Sequence, residues 1–216
     1  MKRPHPEGYL SAPPSGKGPG ILVLHAWWGL SDTIKDVCHR LSDQGFVAFA
    51  PDLYDGKFAL TIKEAEILSD ELDPKQAISI IRKSVGFLSN HNQVGEGGLG
   101  VIGFSLGAYF ALNLSADEPE RIKAVIIFYG TGSADFNNSK AAYLGHFAQI
   151  DPYEPAEYVD HVENVLLSAG REVTFYRYEV VGHWFFESDR PDVYDAETSQ
   201  LAWDRSTSFL KKNLRV

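Results

Sequence analysis

The chain has almost no cysteine. Cys38 is alone among 216 residues, so no intrachain disulfide can form, and a reducing compartment such as the cytoplasm is expected. Long apolar runs are missing as well. The densest, ILVLHAWWGL, contains His25 and stops short of the roughly 18 residues a membrane span needs. The opening MKRPHPEGYLSAPPSGKGPG has no apolar stretch of the kind a signal peptide carries. Basic clusters are absent too. Lys and Arg number 20 against 29 Asp and Glu, and the formal net charge of -9 repels a phosphate backbone, so no nucleic-acid partner is expected. There is no internal repeat and no low-complexity linker, and residues 1–216 are read as one domain. The spacing of His, Cys, Asp and Glu suggests no metal site, with only His25, Asp151 and His183 as conceivable partners, and nothing calls for a cofactor.

What is present is a recurring alternation. Short, nearly unbroken apolar runs occur at 21–26 (ILVLHA), 46–52 (FVAFAPD), 99–105 (LGVIGFS), 124–130 (AVIIFYG), 141–151 (AAYLGHFAQID) and 173–179 (VTFYRYE). Runs of this kind suit strands covered on both faces. Between them lie helical patterns. Ile34, Val37, Cys38 and Leu41 follow Ser31, an expected N-cap, and Ile78, Ile81, Val85 and Leu88 follow Pro74. Further helices are expected from Leu106 to Leu114, Pro155 to Ala169 and Pro191 to Asn213. Strands alternating with helices predict an α/β fold with a mainly parallel central sheet and helices on both faces. Ligands bind at the carboxyl ends of strands in such sheets. Weight therefore falls on His25 to Gly29, Asp52 to Tyr54, Ser105, Tyr129 to Thr131, Asp151 and His183.

Gly103-Phe104-Ser105-Leu106-Gly107 stands between an expected strand and an expected helix. G-x-S-x-G in that place describes a tight turn in which flanking Cβ atoms would collide with backbone, leaving the serine hydroxyl raised at a helix N-terminus. The plainer reading is a glycine-rich turn with a capping serine. A nucleophilic serine needs a general base, and in this type of fold the acid and then the histidine follow it in sequence. Asp151 ends one apolar run, and His183 lies in VVGHWFF after the last. The expected roles are Ser105 as nucleophile, His183 as base and Asp151 as the group that orients His183. Asp135 and Glu154 are alternative acids, and His146 is expected in the core or at an edge. A histidine base predicts activity that rises with pH as the imidazole loses its proton. The oxyanion donors should be the backbone amides of Leu106, directly after the serine, and of Trp27 in HAWWGL. Trp28, Tyr54, Trp184 and Phe185 are expected to line the pocket with Trp27, several of them competing with a core role. Residues 54–72 and 131–140 are candidate partial covers.

These motifs together (ILVLHAWWGL, FVAFAPDLY, GFSLGA, the end of the Asp151 run and GHWFF) resemble the dienelactone hydrolase family of the α/β-hydrolase fold, over roughly residues 20 to 213. The resemblance implies Ser105, Asp151 and His183 as triad, with the Trp27 and Leu106 amides as oxyanion donors. It also shows departures. Members acting on dienelactone typically carry a cysteine nucleophile, a helper glutamate after the first strand, and two arginines for the substrate carboxylate. Here those places hold Ser105, Ala26, the segment Asp55 to Lys57, and the neighbourhood of Phe186 and Glu187. Lys57 is a partial substitute at best, being a point charge rather than a bidentate fork. The expected activity is hydrolysis of small carboxylic esters or lactones through an acyl-enzyme, dienelactone not being the native substrate. A thioesterase or small-peptide hydrolase with the same triad, and a binding module that retains the fold, are the alternatives. The small ester or lactone is the only partner the sequence implies, and oligomeric state is left open.

Overall fold

The computed structural model describes residues 6–214. Its strands form one seven-stranded sheet in the order β1-β3-β2-β4-β5-β6-β7. These are β1 (Gly8–Ser11), β2 (Gly18–Leu24), β3 (Val47–Pro51), β4 (Val94–Phe104), β5 (Ile122–Phe128), β6 (Ala142–Ala148) and β7 (Val173–Tyr178). All neighbours run parallel except β1, which pairs antiparallel with β3. The helices are α1 (Asp32–Asp43), α2 (Ile62–Glu71), α3 (Pro74–Ser89), α4 (Leu106–Asp117), α5 (Ala156–Ser168) and α6 (Ala196–Asn213). None of the described helices is long and apolar enough to cross a membrane.

The unbroken apolar runs have a direct physical consequence. Alternate residues of β2 go to opposite faces, and both faces need cover. Ile21 and Val23 join a core with Val37, Leu41, Trp203 and Leu210 of α1 and α6. Leu22 and Leu24 join a second core with Ile81 and Val85 of α3, Leu112 of α4 and Val159 of α5. Helix starts are set by local chemistry. Pro74 opens α3 behind Asp73, whose carboxylate accepts the Lys75 amide. Thr61 and Glu64 form a reciprocal capping box on α2.

Several details differ from the sequence expectation. Ser31 does occupy the N-cap of α1, but its hydroxyl makes no capping bond; the Lys35 amide reaches the Ser31 carbonyl instead. The last helix starts at Ala196 rather than Pro191, because the Val193 and Tyr194 amides close a turn on the Arg190 carbonyl and Asp195 then caps through Thr198. The run 173–179 is only partly covered, with Tyr176 and Tyr178 packing on one core and Val173 and Phe175 on the other. β7 is an edge strand with Thr174 and Arg177 exposed. Neither β1 nor α2 was expected, since four residues pairing at an edge and a helix that buries only Ala65 leave weak periodic signals.

Candidate active site

The sheet delivers the site residues by their strand ends. Ser105 follows β4, Asp151 lies three residues beyond β6, and His183 sits in the loop after β7. Ser105 takes φ 49 and ψ -110, a conformation seldom adopted by a side chain with a Cβ. It is held there by its neighbours. The Ser105 amide donates to Phe128 at 2.9 Å, and its carbonyl accepts the Ala108 and Tyr109 amides. The flanking glycines are steric necessities. A Cβ on Gly103 would lie 2.4 Å from the Gly107 carbonyl oxygen, and one on Gly107 would lie 2.2 Å from that of Leu24. Strain of this kind persists only where the surroundings fix it, and it concentrates at functional sites.

The three predicted side chains meet in one hydrogen-bonded line. Ser105 Oγ is 3.0 Å from His183 Nε2, and His183 Nδ1 is 2.7 Å from Asp151 Oδ2. A carboxylate oxygen accepts, so the proton belongs on Nδ1 and leaves Nε2 free to accept from the hydroxyl. Asp151 divides its work between its two oxygens. Oδ1 accepts the Tyr153 and Glu154 amides and shapes the loop, while Oδ2 faces His183. Of the alternative acids, Asp135 is bonded to Asn137 on the surface. Glu154 takes both the amide and the hydroxyl of Thr131, tying the loop after β5 to the loop after β6. Burial raises its pKa.

The aromatic residues sort into wall and core. Trp27 stacks on Trp184 at 5.8 Å between ring centroids, and Trp184 stands edge-on to His183 at 4.8 Å. Trp28 lies behind them, buried against Trp184 and covered by the Arg190 guanidinium at 3.7 Å. Arg190 also donates to the Ala59 and Leu60 carbonyls, which pins the segment ahead of α2 against the site. Three residues expected at the pocket, Phe185, Tyr54 and Lys57, are placed elsewhere. Phe185 is 0 % exposed and packs on Tyr129 and Tyr178, and the next residue, Phe186, joins it in the core against Phe104 and Phe128. Tyr54 is 6 % exposed and packs on His25. Lys57 points to solvent and pairs with Glu71 at 3.5 Å. Tyr153, half-exposed, was not expected, yet it packs against His183, Trp184 and Trp27. Its only sequence signal was its place two residues after Asp151.

Behind His183 lies a buried pair. The ring of Tyr129 packs on His183 at 5.0 Å, and its hydroxyl donates to Glu187 Oε1 at 3.0 Å. Burial, with the nearby Asp189 charge, pushes the Glu187 carboxyl up to about 8. The unfolded chain therefore loses this proton first. Stability from this group is fully present below the ordinary value of 4.5 and is lost as pH rises to about 8. Gln at 187 removes the titration and keeps an acceptor for Tyr129. We expect Glu187→Gln to melt like wild type near pH 4.5 and to gain on the order of a few kcal/mol, roughly 5–10 °C, by pH 8. Thermal melts of both proteins across that range check it; a gain that does not depend on pH would contradict it.

Comparison with known proteins agrees with this architecture. The model of the dienelactone hydrolase family matches residues 7–214. Protein usf of Aquifex pyrophilus is 32 % identical over 216 residues, which cover 96 % of this chain and 93 % of that protein. An Aquifex aeolicus (strain VF5) protein named "Putative carboxymethylenebutenolidase" is also 32 % identical, over 217 residues covering 96 % and 94 %. The crystal structure of a dienelactone hydrolase-like promiscuous phosphotriesterase from metagenomic libraries superposes with a TM-score of 0.81 at 20 % identity, covering 94 % of this chain and 88 % of that one. Matched over nearly its whole length, this chain belongs to the dienelactone hydrolase family of α/β hydrolases.

Proposed function

We propose that the protein hydrolyses small, neutral carboxylic esters or lactones through a Ser105 acyl-enzyme. The observation that carries this reading is the continuous line from a strained Ser105 hydroxyl through His183 to a buried Asp151. His183 Nε2 takes the hydroxyl proton as Oγ attacks the carbonyl carbon. Asp151 holds the imidazole in the required tautomer and stabilises the imidazolium. The amide of Leu106, at the first position of α4, and that of Trp27 face the developing oxyanion; each such donor is worth about 10²–10³ in rate. As the tetrahedral adduct collapses, His183 returns the proton to the leaving alcohol. Water then attacks the acyl carbon while His183 accepts its proton, and the carboxylic acid departs from a regenerated Ser105.

The preference for neutral substrates rests on charge. Where the family resemblance places two arginines for a carboxylate, this chain has Lys57, turned outward to Glu71, and Glu187, buried on Tyr129. Asp151, bonded to His183, and the nearby Glu154 place carboxylates rather than cations beside the base. Phenyl acetate, 4-acetoxybenzoate and dienelactone assayed together test this. Phenyl acetate should be turned over, with kcat/KM at least about tenfold above either carboxylate, equivalent to about 1.4 kcal/mol. Equal turnover of dienelactone would overturn the selectivity, and inactivity on all three would overturn the esterase reading.

A further inference from the structure

His25 was legible as a histidine at a strand's carboxyl end, and the catalytic line does not use it. It is completely buried. Its Nδ1 lies 2.6 Å from the carbonyl oxygen of Ala26, and the Leu53 amide donates to its Nε2 at 3.2 Å. A carbonyl only accepts and an amide only donates, so one tautomer satisfies both: the proton sits on Nδ1. Burial lowers the pKa of His25 and favours this neutral form. The ring therefore bridges the turn after β2 to the turn after β3.

The Ala26 carbonyl belongs to the same peptide unit as the Trp27 amide. A trans peptide is planar, and its C=O and N–H point in opposite directions. Fixing the oxygen fixes the direction of the N–H. The Ala26 oxygen is held twice, by His25 Nδ1 and by the Gly29 amide at 3.2 Å. The turn is further confined where the first turn of α4 presses on it, with Gly107 too close to the Leu24 and His25 carbonyls to carry a side chain. We propose that His25 is a positioning residue that orients the Ala26–Trp27 peptide, so that the Trp27 amide is pre-aimed at the developing oxyanion. The inference rests on the hydrolase reading above. Pre-aimed donors are effective because nothing reorganises as charge develops, so a loosened donor costs turnover and not substrate binding.

His25→Asn and His25→Ala, with Ser105→Ala as reference, provide the test. The asparagine amide can still donate to the Ala26 oxygen; alanine cannot. His25→Ala should lose about 10²-fold in kcat with KM within roughly threefold, and His25→Asn should stay within about tenfold of wild type. The second readout needs no turnover. In ¹⁵N–¹H correlation spectra the Trp27 amide resonance should move in His25→Ala and return towards its wild-type position in His25→Asn. The proposal is overturned if His25→Ala keeps kcat within twofold, if its Trp27 resonance stays in place, or if His25→Asn rescues neither. Full activity in Ser105→Ala would instead bring down the hydrolase reading, and the Trp27 resonance would then decide the His25 role by itself.

Discussion

Ser105→Ala is expected to lower kcat/KM on phenyl acetate by about 10³-fold or more while leaving the fold intact. The loss follows from chemistry, since alanine has no atom to attack the carbonyl and His183 is left with no hydroxyl proton to take. Some rate over water should survive, because the proposed oxyanion donors, the amides of Leu106 and Trp27, are untouched by the substitution. The intact fold follows from the way the turn is held. The Ser105 backbone supplies the bonds to Phe128, Ala108 and Tyr109, and none of them uses the hydroxyl. Alanine meets the same positive φ of 49 without new contacts, so the melting temperature should stay within a degree or two of wild type. Exposure to a fluorophosphonate provides a second measurement: intact mass should show one adduct on wild type and none on the variant. Cys38 is no rival nucleophile, being buried with its thiol pushed up to about 12. A Ser105→Ala protein as active as wild type would place the chemistry elsewhere.

Gly107→Ala should be the most destabilising single methyl in the site. The added carbon would lie 2.2 Å from the Leu24 carbonyl oxygen, 2.6 Å from its carbon and 2.8 Å from the His25 oxygen. All three atoms are backbone, so no side chain can swing aside. Relief requires α4 to lift from the end of β2, which disturbs the Ser105 elbow and the His25 turn together. A cost of roughly 3 kcal/mol is expected, about 6–12 °C in melting temperature, with activity lost in the remaining folded protein. Gly86 is the control. It lies inside α3 with nothing within 4 Å of the position its Cβ would take, and Gly86→Ala should gain about 0.5–1 kcal/mol. Differential scanning of the three proteins separates the outcomes. If Gly107→Ala melts with wild type, the contact between α4 and β2 does not confine this turn.

The fold was legible because its signals are local. Strands covered on both faces must be apolar along their length, and ILVL, AVII and AAYLGHF are. The elbow was legible because its steric demands can be met only by glycine at 103 and 107. The order Ser105, Asp151, His183 was legible because each residue follows an apolar run. The aromatic wall was not. Trp27, Tyr54, Trp184 and Phe185 look alike in sequence as aromatic residues just past strand ends, and Tyr54 and Phe185 nonetheless point into the interior. Loop conformation decides such directions, as in the turn where Trp184 takes φ 63. No periodicity of the local sequence encodes it.

By itself, then, the sequence determined a parallel sheet with covered faces, a serine that must stand on a tight turn, and an acid and a base waiting at later strand ends. These depend on side-chain volume, apolarity and chain order, which are written residue by residue. Only the tertiary structure decided that Asp151 gives one oxygen to its own loop and the other to His183, that Tyr153 flanks the site while Phe185 leaves it, and that Glu187 is buried against Tyr129. It alone decided that His25 grips the peptide carrying the Trp27 amide. Each of these depends on distances between segments remote in sequence, and burial converts such distances into energy by stripping water from polar groups that must then find one another.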